Sequence, residues 1–230
     1  MNDLPKISNQ QLFEQAFTHR SYLNEAKKEL ESNERLEFLG DSILSFVVSQ
    51  HLYESYPHFD EGILTNLRSL LVNTKSIAAA ARKLDFGKYL KLSRGEEESK
   101  GRENESLLAN SFEAFIGALY LDQGIESARK FIGMMLFPQI EEIVKKKAFK
   151  DPKSLLQEYV QARKQNSPTY KVLHEEGPPH AKTFTIGVFV NQTQIGEGVG
   201  RSKQQAEEEA AEKALAYLEN QDLPVIPKEA

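Results

Sequence analysis

Apolar residues recur at three- and four-residue spacing through the first two-thirds of the chain. Phe38, Leu39, Ile43, Leu44, Phe46 and Val47 form one run. Leu64, Leu67, Leu70 and Leu71 form a second, and Leu107, Leu108, Phe112, Phe115, Ile116 and Leu119 a third. This period predicts helices with an apolar face. Breakers stand between the runs at Tyr56-Pro57, Phe86-Gly87 and Asp122-Gln123-Gly124. The charged, glycine-containing stretch 93–105 reads as a loop. Two-residue alternation is absent before about residue 168, so this part reads as all-α.

The pattern changes past Lys145-Lys146-Lys147 and Asp151-Pro152, a basic cluster followed by a helix-start signal. Leu155, Leu156, Tyr159 and Val160 give a helical face. Residues 169–176 read as a strand, and 182–190 alternate with Phe184, Ile186, Val188 and Val190 on one side. In 194–200 the alternation selects Ile195, Glu197 and Val199. Ser202 opens a last helix with Gln205 three residues on, and its apolar face is Ala206, Ala210, Ala214, Leu215 and Leu218. The expected organisation is an all-α domain over 1–148, a short linker at 149–151, a small α+β domain of order α-β-β-β-α over 152–220, and a flexible tail over 221–230.

The 230 residues contain no cysteine, which excludes disulfides, thiolate metal sites and a cysteine nucleophile. There is no apolar run of membrane-spanning length and no secretory leader pattern, so a cytoplasmic setting without membrane contact is the default. The net charge of −5 argues mildly against a polyanion partner. Its distribution changes that picture: residues 207–230 hold 7 acidic and 2 basic side chains, whereas 151–206 hold 7 basic and 5 acidic. A local basic face is therefore available upstream of the acidic end.

The strongest chemical signal is Asn33-Glu34-Arg35-Leu36-Glu37-Phe38-Leu39-Gly40-Asp41. On a helix, Glu37 and Asp41 share a face, and like charges at that spacing repel. A divalent cation is the simplest compensation, and carboxylate oxygens suit Mg²⁺ or Mn²⁺. A solvated acidic face fits the spacing equally well. Asn110 and Glu113 are three apart and also share a face, with Glu113 set among Phe112, Phe115 and Ile116. A carboxylate buried there needs a partner or a cation, while Gly117 and its flanking alanines permit close helix packing.

The 33–41 stretch resembles the signature of the bacterial ribonuclease III family. Thr18-His19-Arg20-Ser21-Tyr22 and Ala114-Phe115-Ile116-Gly117-Ala118-Leu119-Tyr120-Leu121-Asp122 resemble two further stretches of it, and the likeness runs from about Leu12 to Leu218. It implies an all-α endonuclease domain working as a homodimer, followed by a double-stranded RNA-binding domain. It also implies Mg²⁺-dependent hydrolysis of double-stranded RNA to 5′-phosphate and 3′-hydroxyl ends, in processing of ribosomal RNA precursors and structured messenger RNA, without a small-molecule cofactor. By the same likeness Glu37, Asp41 and Glu113 match the metal-binding acids, Asp41 and Glu113 being catalytic. Phe38 matches a residue packed into the partner subunit, a plain core residue being the competing reading, and Glu34 and Glu61 match positions supporting the cleft.

Asn110 departs from the family's pattern, where an aspartate is usual. The amide still offers an oxygen but removes one negative charge, so cation attraction weakens. Three explanations stand: tolerated natural variation, a deliberate substitution that traps substrate, or a double-stranded RNA-binding dimer that cuts weakly. In the second domain Gln157, Glu158 and Gln161 stand on the polar side of a helix, where they suit 2′-hydroxyls of an A-form minor groove. His180 in the loop between strands suits a second groove, and Arg201, Ser202 and Lys203 suit phosphates. Gln204 and Glu207 stand where such domains often carry lysine, which predicts modest, salt-sensitive affinity, with the acidic run 207–209 turned away from RNA.

Overall fold

The computed structural model describes residues 4–26, 29–145, 149–178 and 181–222, the last four as backbone. The chain divides into two compact units, Met1–Phe149 and Lys150–Ala230. Among the described residues no helix is long and apolar enough to cross a membrane.

In the first unit the helices are α1 (Gln10–Ala16), α2 (Glu34–Ser55), α3 (Glu61–Val72), α4 (Thr74–Lys83), α5 (Arg94–Glu98), α6 (Glu105–Gln123), α7 (Ile125–Leu136) and α8 (Ile140–Lys145). Polar caps define several starts. The side chains of Asn9, Asp60, Asn73, Ser93 and Asn104 each accept from a backbone N–H of the first turn they precede. Gly124, at φ 79°, ends α6 and starts α7 in a conformation that side-chain-bearing residues rarely adopt.

The stretch expected to be a loop, 93–105, instead carries α5 and a 3-10 turn at Gly101–Glu103. These elements are held by caps and by Arg102, whose guanidinium donates to Gly87 O at 2.6 Å and pairs with Glu97. An apolar period cannot report helices that have no apolar face.

Helix α6 is the axis of this unit. Leu108, Phe112 and Ala114–Leu119 are all buried, so the helix is apolar nearly all round. Phe17, Phe86, Phe115 and Phe131 gather around it, with ring centroids 5.0 to 6.1 Å apart. Helix α2 lies directly on α6, and the contact is backbone on backbone. A Cβ added at Gly40 would stand 1.7 Å from Glu113 O, and one added at Gly117 would stand 2.3 Å from Leu36 O. Thus each helix inserts a glycine against the other's carbonyl row.

The second unit has α9 (Pro152–Ala162), β1 (Thr169–Glu176), β2 (Thr183–Val190), β3 (Thr193–Gly200) and α10 (Lys203–Asp222). The strands form an antiparallel sheet in the order β1-β2-β3. Leu156 and Val160 of α9, Val188 and Val190 of β2, and Ala210, Ala211 and Ala214 of α10 make its core. The expected α-β-β-β-α order is present. The face of β3 requires a correction: Glu197 is exposed and Val199 is 48% exposed, with only Ile195 packed on the core. The opposite positions, Gly196 and Gly198, meet α10, where an added Cβ would lie 2.5 Å from Ala210 O and 2.2 Å from Ala206 O. Glycine scores as neither apolar nor polar, so alternation alone selects the face of β3 that does not pack.

The α2–α6 contact makes a direct prediction. Gly40→Ala is expected to destabilise the chain at the upper end of the overpacking range, about 3 kcal/mol. Gly95→Ala, a site with nothing within 4 Å, serves as the control and is expected to be near neutral. Urea unfolding midpoints check this, and equal midpoints for the two variants contradict it.

Candidate active site and nucleic-acid interface

The glycine contact sets the register between two pairs of polar side chains. Glu37 and Asp41 project from α2 one turn apart, and Asn110 and Glu113 from α6 three residues apart. Because Gly40 rests on the backbone of Glu113, the two pairs line one open cleft of about 620 Å³. Glu34 and Phe38 of α2 line it too, as do Asn33, His19 and Arg20. Glu61 does not: it lies at the first turn of α3, where it accepts from Thr65 Oγ1 at 3.4 Å.

The electrostatics follow from this proximity. Glu113 is half-buried, and burial, then Asp41 and Glu37, push its carboxyl up to about 7. Glu37 is also raised, by burial first and then by Glu34 and Asp41. Among the described residues no basic side chain pairs with Glu37, Asp41 or Glu113. Glu34 is different: Arg20 pairs with it at 3.3 Å and Ser32 Oγ donates to it at 2.9 Å. Half-buried Glu37 and Glu113 and exposed Asp41 repel one another and lack a counter-ion, which suits a hard divalent cation, and the Asn110 amide adds a neutral oxygen. Among the described residues, however, no three His, Cys, Asp or Glu side chains converge closely enough to hold a metal ion by themselves. The donor set is one-sided and leaves room for water and a substrate oxygen.

Phe38 is 78% exposed, which excludes the core reading. Phe46 at 57% and Tyr53 at 74% share its side of α2. Residue spacing placed Phe38 and Phe46 with the apolar run. Ile43, Leu44, Val47 and Val48 take the inner face instead, and the two phenylalanines stand outside it. His19 and Arg20 were not among the expected site residues, although the stretch that holds them was noticed in the sequence.

In the second unit Gln157, Glu158 and Gln161 are exposed along α9, and Glu158 pairs with Lys150. Arg201, Ser202 and Lys203 are exposed where α10 begins. Ser202 Oγ accepts from Gln205 N–H at 3.2 Å, and Gln205 Oε1 accepts from Arg201 N–H at 3.2 Å, so the turn is capped from both sides. His180 lies outside the described residues. All three glutamates of the run 207–209 are engaged internally, Glu208 accepting from Gln204 Nε2 at 2.9 Å. Glu207 pairs with Lys153 of α9 at 2.6 Å, and Glu209 accepts from Val199 N–H at 2.7 Å and pairs with Lys213 at 2.9 Å.

Residues 9–140 match the family described as ribonuclease-III-like, and residues 152–218 match the double-stranded RNA binding motif. The Ribonuclease 3 of Anoxybacillus flavithermus is 50% identical over 211 residues, covering 91% of this chain and 88% of that protein. That of Geobacillus thermodenitrificans is 47% identical over 217 residues, covering 94% and 88%, and that of Streptococcus uberis is 44% identical over 214 residues, covering 93% of each. Among solved structures, the nuclease domain of the Campylobacter jejuni ribonuclease III, described with a flexible region involved in dimer formation, has a TM-score of 0.53 at 38% identity. It covers 58% of this chain, and 92% of that chain is matched.

The raised carboxyl of Glu113 has a thermodynamic sign. Its folded-state value of about 7 lies above the ordinary carboxylate range of an unfolded chain. Its stabilising contribution is therefore complete below about pH 4 and is lost as pH rises through about 7. Metal-free protein is expected to lose thermal stability between pH 5 and pH 8 through this group, and Glu113→Gln is expected to flatten that interval. Melting curves in chelator check this, with parallel profiles for parent and variant contradicting it.

Proposed function

The chain belongs to the ribonuclease III family, and from that membership we propose that its cleft hydrolyses double-stranded RNA with Mg²⁺, and with Mn²⁺ as a substitute. The family makes the chain an endoribonuclease with a double-stranded RNA-binding motif. One observation carries the finer reading: Glu37 and Asp41 of α2 share a cleft with Asn110 and Glu113 of α6, and Glu113 is pushed up to about 7.

Glu37, Asp41, Asn110 and Glu113 would hold the cation by their oxygens, with Asp41 and Glu113 assigned the catalytic roles. When bound, the cation supplies an activated water and charge compensation at the scissile phosphate. Water loses a proton to solvent as its oxygen bonds to phosphorus in line with the 3′ oxygen; the bond to that oxygen breaks, and the 3′ oxygen takes up a proton, giving a 3′-hydroxyl and a 5′-phosphate. A cation would bind the ionised form of Glu113, whose carboxyl is pushed up to about 7, so loading would become easier as pH rises. Glu34, fixed by Arg20, borders the cleft, and Glu61 supports RNA contacts from α3.

The working form is a homodimer, each subunit serving one strand. The exposure of Phe38, at 78% beside the cleft, supports its packing into the partner. The second unit reads the A-form duplex: Gln157, Glu158 and Gln161 bond 2′-hydroxyls, His180 enters a second minor groove, and Arg201, Ser202 and Lys203 meet phosphates. Ribosomal RNA precursors and structured messages are the proposed substrates, in the cytoplasm.

Asn110 supports a second reading, a dimer that binds duplex RNA and cuts it weakly. A cleavage assay on a long RNA duplex, with single-stranded RNA and duplex DNA as controls, separates the two. With Mg²⁺ the unmodified chain is expected to cut only the RNA duplex, to stop in chelator, and to change by less than about tenfold in Asn110→Asp. Binding without cutting until Asn110→Asp restores it establishes the second reading. Glu113→Gln is expected to lose cleavage by about a hundredfold or more while duplex affinity in chelator stays at the parent value. Parental cleavage by that variant removes Glu113 from the site.

A further inference from the structure

The stretch Thr18–Tyr22 has no task in the cleavage chemistry above, yet its His19 lines the cleft. His19 caps the 3-10 turn Arg20–Asn24. Its Nδ1 accepts the backbone N–H of Ser21 at 3.3 Å and faces Ser21 Oγ at 2.8 Å. Ser21 Oγ itself accepts from Ser93 N–H at 3.1 Å, so its own proton is free to point at Nδ1. With Nδ1 committed as an acceptor, the neutral ring carries its proton on Nε2. Among the described residues Nε2 has no hydrogen-bond partner.

The loop that holds the ring is fixed on several sides. His19 N–H donates to Lys91 O at 3.1 Å, Lys91 N–H to Phe17 O at 2.8 Å, and Asn33 N–H to Thr18 O at 2.9 Å. Thr18 is fully buried and donates from Oγ1 to Glu14 O at 2.7 Å. Two other donors of the cleft already have protein partners: Arg20 Nη1 bonds Glu34 at 3.3 Å, and the Asn33 amide bonds Ala16 O at 3.5 Å. A pre-oriented N–H on a residue that lines this cleft is complementary to an anionic acceptor. A phosphodiester entering the cleft brings one.

We propose that His19 is a substrate-positioning residue whose Nε2–H donates to a non-bridging phosphate oxygen of the RNA strand held in the cleft. The inference rests on the cleavage reading above. Two substitutions separate this role from capping, because each keeps one half of the imidazole. Gln places an N–H donor where Nε2 stood and gives up the cap acceptor. Asn keeps the cap acceptor where Nδ1 stood and gives up the distant donor.

The test is single-turnover cleavage of duplex RNA by the full chain with Mg²⁺, beside duplex affinity in chelator and melting temperature. His19→Asn is expected to cut about ten- to a hundredfold more slowly at an unchanged melting temperature. His19→Gln is expected to stay within about threefold of the parent. Any result in which Gln fails to outperform Asn overturns the proposal, whether both are active, both are inactive or the order is reversed. Glu113→Gln, assayed alongside, decides the underlying reading separately: if it still cuts, the carboxylate site is wrong whichever His19 variant is active.

Discussion

Everything at the cleft depends on two helices touching without side chains between them. Gly40 meets the carbonyl of Glu113, and Gly117 meets that of Leu36. Helices separated by ordinary side chains run 8–10 Å apart. Here the absent Cβ atoms allow a closer approach, and this draws two short side-chain pairs, on α2 and α6, into one cleft. The aromatic packing around α6 then holds that axis, with Phe17, Phe86, Phe112 and Phe115 all fully buried. Site geometry and core packing are in this sense one problem, since the same α6 turn presents Phe112 and Phe115 inward and Glu113 to the cleft.

The closeness has an electrostatic cost. Burial and like charge hold Glu113 near 7 and raise Glu37, so the cation-free chain stores repulsion at this point. A divalent cation relieves it, which makes cation affinity and local stability linked quantities. The cleft therefore need not be a closed cage. Repulsion among the carboxylates already disfavours the cation-free state, and under the proposed reaction the open side leaves room for water and a phosphate oxygen.

Much of this was legible in the residues, and the failures have physical causes. Helical periodicity found α2 and α3, which bury an apolar stripe that repeats with the turn, and α6, whose apolar residues run nearly all round it. It missed α5, which rests on the Ser93 cap and on Arg102 rather than on burial. The glutamate and aspartate pairs were readable from i,i+3 and i,i+4 spacing, but spacing cannot bring Asp41 to Glu113. That step belongs to Gly40, whose meaning lies in what it lacks. Gly196 and Gly198 repeat the lesson on β3, where the face without side chains is the one that packs. His19 was hidden for another reason: its direction is set by Ser21 and Ser93, and Ser93 is 74 residues away in sequence.

Asn110 can be placed on the same electrostatic scale. A carboxylate there would add a fourth negative charge to a group in which Glu113 is already held near 7. By the like-charge rule it would raise Glu113 and Glu37 further and deepen the repulsion of the cation-free state. It would also strengthen cation attraction, because both effects come from the same charge. An amide of the same shape keeps an oxygen in the cleft and leaves Glu113 closer to ionisation at neutral pH. The exchange therefore trades cation affinity for a less strained empty site, and it leaves the α2–α6 register unchanged because the glycine contact does not involve the Asn110 side chain.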